Sequence, residues 1–512
     1  MTEELYKRIS PLDRILITVV VMSATLMQVI DTTIVNVALP HMQGSLGASS
    51  DEITWTLTSY LVSSAIFMPI TGYLSDRLGR KQYLIISIAG FTLVSALCGA
   101  SMTLSEIVLF RLLQGVFGAC LVPLSQAILA DIYPPEERGK AMAIWGMGVM
   151  VGPILGPTLG GYLTEVSTWR WTFYVNVPVG ILTLLLANII PDTAKKMRQM
   201  DWTGLILISI AIGGLQYVLD RGNTDDWFHS RGISFITYLT VTAFLGFILH
   251  SMQEKTRTVF DLAIFKDRNF AVASILLCIF GLGLYGMMVI QPIMMEGLLN
   301  YPALTAGLMM APRGISGMIS MMLVGRLISR IDPRWLIIIG ILISIVGLSI
   351  CTQYSIDNIS PFWLIFPMLL QGFGLGMVFV PLSTIAYSTL PIDLRTEAAG
   401  VFSLLRTIGG SIGISISITL ATRGAQFFWN ELGGFVTPYN YLVYQYLQPL
   451  HLQPTQPLGA SILGNMLLQQ AQMLSFVNVF AFIMWCFVFM IPLVLFLRKG
   501  KKVVAMPPSV AE

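Results

Sequence analysis

The chain has 512 residues, of which 55% are hydrophobic and only 11% charged, with a formal net charge of +3. A soluble domain carries about 25% charged residues, so this composition excludes an ordinary water-soluble fold and makes lipid the main solvent of the chain. The slight positive balance is sorted by loop, which gives no reason to expect nucleic acid as a partner.

The apolar residues fall into runs of roughly 18 to 25, the length that crosses about 30 Å of hydrocarbon at 1.5 Å per residue. The alternating ten-residue segments of an outer-membrane barrel are not seen, and the remaining way to satisfy backbone groups in lipid is the helix. In chain order, the runs predict helices near 15–37, 53–73, 83–101, 105–130, 140–164 and 172–190, then 203–219 and 233–252, then 270–291, 304–328, 335–354, 362–387, 397–421 and 475–497. That is an all-α polytopic membrane protein of fourteen spans. The first run lacks a small-residue cleavage site near its end and is expected to stay as a helix.

Of the 30 Lys and Arg, only Arg170, Arg221, Arg231 and Arg423 fall on one side of these spans, and Arg111, Arg313 and Arg406 fall inside them. The rest lie on the other side with both termini, which the positive-inside rule makes cytoplasmic. The five cysteines sit in apolar runs without metal spacing and read as packing residues.

LLQGVFGACLVPLS at 112–125 matches LLQGFGLGMVFVPLS at 369–383. Each copy is followed by a turn with a proline and then by Arg138 or Arg395. This internal repeat predicts two six-helix halves, 1–190 and 256–512, with two inserted helices in 191–255. The stretch 423–473, rich in Pro, Tyr and Gln, is expected to be a non-cytoplasmic loop whose tail, roughly 458–473, has helical apolar spacing and suits an interfacial helix.

Asp31, within the first apolar run, is the clearest acidic group deep in the first half. A carboxylate there costs roughly 2.5–3.5 kcal/mol on insertion scales, which marks it as a functional candidate, with a permanent structural ion pair as the plain alternative. Arg111 in the fourth span cannot practically lose its proton and must find carboxylates, carbonyls or water. Proton coupling by Asp31 and Arg111 is the expectation, although spacing alone does not establish their contact. Other polar side chains inside spans, Gln28, Asn36, Gln114, Gln126, Gln291, Arg313, Gln371 and Arg406, are candidates for lining a central cavity. Clustered methionines such as Met287, Met288, Met294 and Met295 suit a wall that accepts many shapes, and equally suit ordinary packing.

GYLSDRLGRK at 72–81 places Gly72 and Gly79 at a tight turn with Asp76, Arg77, Arg80 and Lys81 at the inner surface. GMGVMVGPILGPTLGG at 146–161 carries Gly148, Gly152, Gly156, Gly160 and Gly161 with Pro153 and Pro157. Small residues four apart allow close helix contact and proline bends a helix, so this segment reads as a packed hinge.

The decapeptide resembles the signature between the second and third helices of major facilitator transporters, and the glycine/proline segment resembles the motif that marks their antiporters. With WRWTFYVNVPVG at 169–180, DTTIVNVALP at 31–40, LDRGNTDDWF at 219–228 and APRGISG at 311–317, nearly the whole chain resembles the fourteen-helix drug:proton antiporters of the EmrB/QacA type. The resemblance implies export of hydrophobic or amphipathic compounds across a bacterial inner membrane, with the proton gradient as energy source and no cofactor. It implies proton coupling by Asp31 and Arg111, gating by the 72–81 turn, and, for the EmrB branch, a periplasmic EmrA-like adaptor and a TolC-like outer-membrane channel. A nutrient importer or symporter is the nearest alternative, and the 148–161 segment argues against it. An enzyme is not expected: the chain has no HExxH or Walker motif.

Overall fold

A computed structural model describes residues 9–498 apart from 135–136, 194, 196–199, 254–258, 260, 329, 357–358, 392–393 and 438. Among the described residues, twelve helices are long and apolar enough to cross a bilayer, and a pair bent by 61° makes a thirteenth. The 29-residue helix Arg138–Val166 supplies the fourteenth.

In the first half these are α1 (Pro11–Leu46), α2 (Trp55–Phe67 and Thr71–Leu78), α3 (Arg80–Ala100), α4 (Leu104–Gly118 and Leu121–Ile132), α5 (Arg138–Val166) and α6 (Trp171–Tyr174 and Asn176–Leu186). The inserted pair is α7 (Trp202–Arg221) and α8 (Arg231–Gln253). The second half holds α9 (Arg268–Ile293), α10 (Ala303–Leu327), α11 (Pro333–Cys351), α12 (Pro361–Ser388), α13 (Arg395–Gly433) and α14 (Pro457–Leu495). Helix entries are capped by side chains that satisfy otherwise orphaned N–H groups. Ser10 accepts from the Asp13 amide, Thr103 and Glu106 form a capping box, and Asp267 accepts from the Phe270 amide. The break in α2 falls at Pro69, whose ring removes a backbone donor.

The packing follows the repeat. In the first half α1 lies on α5 and α6, α2 on α4, and α3 on α4 and α6. In the second, α9 lies on α13 and α14, α10 on α12, and α11 on α12 and α14. The halves meet where α5 packs on α10 and α12, and where α13 packs on α2 and α4. Trp145 of α5 stacks on Phe379 of α12 at 5.6 Å, and Phe379 stacks in turn on Phe280 of α9 at 6.3 Å. The inserted α7 lies against α2 and also touches α13. There Thr58 donates to Asp220 at 2.5 Å, and Arg423 pairs with Asp226 at 3.2 Å.

The expected loop at 423–473 is corrected. Helix α13 continues to Gly433 and α14 starts at Pro457, so each is 39 residues long. At 1.5 Å per residue such a helix reaches about 58 Å, well beyond a 30 Å hydrocarbon layer. The two helices are joined where the expected spans end, Ser475 donating to the carbonyls of Leu420 and Ala421, and their extensions stay in contact, Gly464 lying beside the Trp429 ring and Gly433 beside Leu467. Only the connection between them is irregular, and it carries the short helix Tyr441–Leu447. Falling hydropathy marked the edge of the membrane, not the end of the helix. The tail from 458 is therefore the start of α14 rather than a separate interfacial helix.

Candidate proton site and gate

Asp31 and Arg111 are the centre of a polar cluster inside the first half, with 0% and 1% of their surfaces exposed. Arg111 donates from one terminal nitrogen to Asp31 Oδ2 at 2.6 Å and to Gln114 Oε1 at 2.8 Å, and its Nε donates to the Thr56 carbonyl at 2.9 Å. Gln114 and Asn176 both donate to Asp31 Oδ1, at 2.9 and 3.0 Å. Gln114 also donates to Ser95 at 2.8 Å. The guanidinium lies over the Tyr60 ring at 4.3 Å, and the Tyr60 hydroxyl accepts from Gln28 at 3.2 Å. Five helices thus meet in one cluster: α4 and α6 donate to the Asp31 carboxylate of α1, and α2 and α3 join through Arg111 and Gln114. A charge buried this far from water persists only where such partners satisfy it.

Helical spacing explains the assembly. Gln114 follows Arg111 by three residues and lies on the same face of α4. Asn36 follows Asp31 by five, about 140° around the helix, and is exposed away from the cluster. Asn176, Thr56, Ser95 and Tyr60 were not singled out from sequence. An asparagine within the apolar run at 171–186 was the available signal for Asn176, whereas a backbone carbonyl such as that of Thr56 leaves none.

Four glycines of α5, Gly148, Gly152, Gly156 and Gly160, face α1, the helix that carries Asp31. A Cβ at Gly148 would meet Met22, at Gly152 Val29, at Gly156 Thr33 and at Gly160 the Ile34 carbonyl, all within 3 Å, while Gly161 is looser. Thr33 donates to the Gly152 carbonyl at 3.1 Å. The side chains of Pro153 and Pro157 lie outside the described residues, and the helix runs on through both positions. The glycine face is therefore a close contact within the first half, and the opposite side of α5 meets the second half.

In the 72–81 segment, Gly79 has φ 84° and ends the helix, as expected of a turn glycine. Gly72 differs from expectation: it sits inside the helix, where a Cβ would stand 3.0 Å from the Glu397 Cα of α13. Its smallness serves a contact between halves. Asp76, one helical turn on, falls on the same face. Arg77 donates to the Tyr73 hydroxyl at 2.8 Å, Arg80 pairs with Asp131 at the end of α4, and Lys81 donates to the Asn188 carbonyl at 2.8 Å.

Of the remaining polar candidates, Gln126 joins the halves by accepting from Tyr387 at 3.3 Å. Gln291 is buried on α9 with both amide atoms unpartnered among the described residues. In the second half Arg313 donates to Gln371, and Arg406 lies over the Phe379 ring at 6.0 Å.

Two repeated six-helix halves, with one polar cluster buried in the first and close contacts between halves at α2, α5, α10 and α13, define a polytopic secondary transporter. The model of the Major Facilitator Superfamily matches residues 21–414, and the chain belongs to that superfamily. It is 35% identical to the Probable multidrug resistance protein EmrY of Escherichia coli (strain K12), covering 83% of each chain. It is likewise 35% identical to the Multidrug export protein EmrB of the same strain, over 87% of this chain and 88% of that one. Among solved structures, the proton:xylose symporter XylE overlays with a TM-score of 0.58 at 15% identity, covering 92% of this chain and 94% of that one. At that identity the likeness speaks for the fold alone.

Proposed function

We propose that this protein is a proton-coupled multidrug exporter that moves hydrophobic or amphipathic compounds out of the cell in exchange for protons. The observation that carries the reading is the Asp31 carboxylate, enclosed by Arg111, Gln114 and Asn176 on a helix that is pressed against α5. When a proton binds Asp31, its charge is lost and Arg111 keeps only neutral partners, Thr56 and Gln114. The arrangement of α1, α2 and α4 that suits the ion pair then no longer has the same advantage. Because α5 follows α1 and also packs on α10, the change reaches the other half and favours the opposite opening. A proton can drive this step only in so far as Asp31 binds it more tightly in one arrangement than in the other. Each tenfold difference in proton affinity contributes about 1.4 kcal/mol.

In this reading residues 1–190 and 256–512 are the rocking halves and 191–255 the inserted pair. The 72–81 turn works as the cytoplasmic gate, with Gly72 against Glu397 at the start of α13. Both termini are cytoplasmic, the membrane is the bacterial inner membrane, and the α13–α14 hairpin reaches into the periplasm. There its exposed Tyr439, Tyr441, Leu442 and Tyr444 suit docking of an EmrA-like adaptor that leads to a TolC-like channel. The test is transport of a lipophilic dye into inverted vesicles energised by a pH gradient, since inversion turns cellular efflux into uptake by the vesicle. Uptake should depend on the gradient and disappear in Asp31→Asn with membrane insertion intact. Undiminished uptake by that variant would remove Asp31 from coupling.

A further inference from the structure

The two halves differ in how they treat a buried guanidinium. In the first, Arg111 donates to Gln114 and is balanced by Asp31. In the second, Gln371 occupies the repeat position of Gln114, but Met368 stands where Arg111 would fall, and the guanidinium that donates to the glutamine comes from Arg313 on α10. Arg313 is 7% exposed, and the terminal nitrogen not used on Gln371 is buried without a hydrogen-bond partner. Among the described residues no carboxylate forms an ion pair with it. A charge held this far from water is strongly disfavoured unless it is paired, so the second half calls for a counter-charge that its own side chains do not supply.

Arg313 borders a cavity of about 30 Å³ inside the second half. A single water needs roughly 10–15 Å³ on this measure, so one monatomic ion fits and a tailed organic acid does not. The rest of the lining decides between water and ion. Ser344 donates its hydroxyl proton to the Gly340 carbonyl, and Gln371 donates to the Cys351 sulfur at 3.4 Å while its oxygen accepts from Arg313. A water here would find few partners and would leave the charge of Arg313 unmatched. The remaining wall is apolar, and in it the rings of Phe280 and Phe487 meet edge to face at 6.2 Å. Aromatic edges carry partial positive charge, which suits a desolvated anion. Phosphate and sulfate accept more hydrogen bonds than one guanidinium nitrogen can give, whereas a halide has no preferred bond direction.

We propose that Arg313 and its cavity hold one chloride ion, an exchangeable counter-charge that does for Arg313 what Asp31 does for Arg111. The ion belongs to the packed second half and is not cargo. The inference is independent of the export reading, because it concerns binding and stability.

The test is binding of radiolabelled chloride to the purified full-length protein by equilibrium dialysis, with chloride titrated against gluconate at constant sodium. Wild type should bind saturably, bromide should compete about as well as chloride, and acetate should compete at least about tenfold less well, lacking the space. Arg313→Gln should weaken chloride binding by at least about tenfold, the scale of a lost charge-assisted bond. Leu284→Phe, which fills the cavity and keeps the guanidinium, should weaken it similarly. The unfolding temperature of wild type should rise with chloride, as it does for any ligand that binds only the folded state, and that of Arg313→Gln should not. A cooperative unfolding transition reports that each variant is folded, and if Arg313→Gln is not, Leu284→Phe and the acetate competition decide. Absence of saturable chloride binding by wild type would overturn the proposal. So would undiminished binding by either variant, which would make the bound chloride an adventitious ion only, or displacement by acetate as readily as by bromide, which would make this a carboxylate site.

Discussion

Gly156 of α5 lies so close to Thr33 of α1 that a Cβ at 156 would stand 2.0 Å from the Thr33 hydroxyl oxygen. Thr33 is two residues from Asp31, and the other side of the same α5 meets α10 of the second half. A shift of α1 at the carboxylate therefore has a direct mechanical route to the opposite half, through closely packed helices.

Gly156→Leu should accordingly insert in the membrane and lose at least about tenfold in gradient-driven dye efflux, on the scale of a badly overpacked interface. Gly161→Ala is the matched control, because its Cβ would meet Val37 at an ordinary 3.8 Å. Its efflux should stay within about twofold of wild type, since no contact must give way. Efflux measured per inserted molecule separates the two, and equal behaviour would remove the α1–α5 contact from the route.

Breaking a buried ion pair by removing one partner costs about 3–5 kcal/mol, whereas replacing both with neutral groups costs much less. Arg111→Gln should thus lower the unfolding temperature of the purified protein more than the double variant Asp31→Asn/Arg111→Gln does. A double variant less stable than Arg111→Gln would show that Asp31 and Arg111 are not held chiefly by each other.

Gly79 sits at φ 84° and ψ 145°, a conformation that side chains with a Cβ rarely adopt. Gly79→Ala should cost about 1–3 kcal/mol of stability. Gly44→Ala, at a helical position with nothing within 4 Å of the added Cβ, should be near neutral. Denaturant unfolding of the two variants side by side checks the difference.

Replacing Tyr441, Leu442 and Tyr444 by serine should leave dye uptake into inverted vesicles unchanged, because these residues sit on the connection beyond the spans. If the hairpin docks the proposed adaptor, resistance should fall in intact cells, where the adaptor is present. Equal loss in both assays would assign the hairpin to transport or folding instead.

The spans and the repeat were legible because lipid forces long apolar runs and duplication leaves a matching LLQG segment in each half. Asp31 and Arg111 were legible for the same reason, as ionisable groups where they are costly. Their contact was not, because α1 and α4 are far apart in sequence and the register between helices is set by packing. The role of Gly72 was missed because a glycine beside a turn reads as conformational freedom, and only the approach of Glu397 shows that it makes room for another helix. The length of α13 and α14 was missed because hydropathy reports lipid contact, and these helices continue into water by bracing each other.

The most direct test is proton movement in proteoliposomes containing a trapped pH dye, with no gradient imposed at the start. Adding an exported dye on one side should drive protons the opposite way in wild type, and Asp31→Asn should show no such proton flux while still binding the dye. Proton flux of wild-type size in Asp31→Asn, or dye transport in wild type with no accompanying proton flux, would contradict the account.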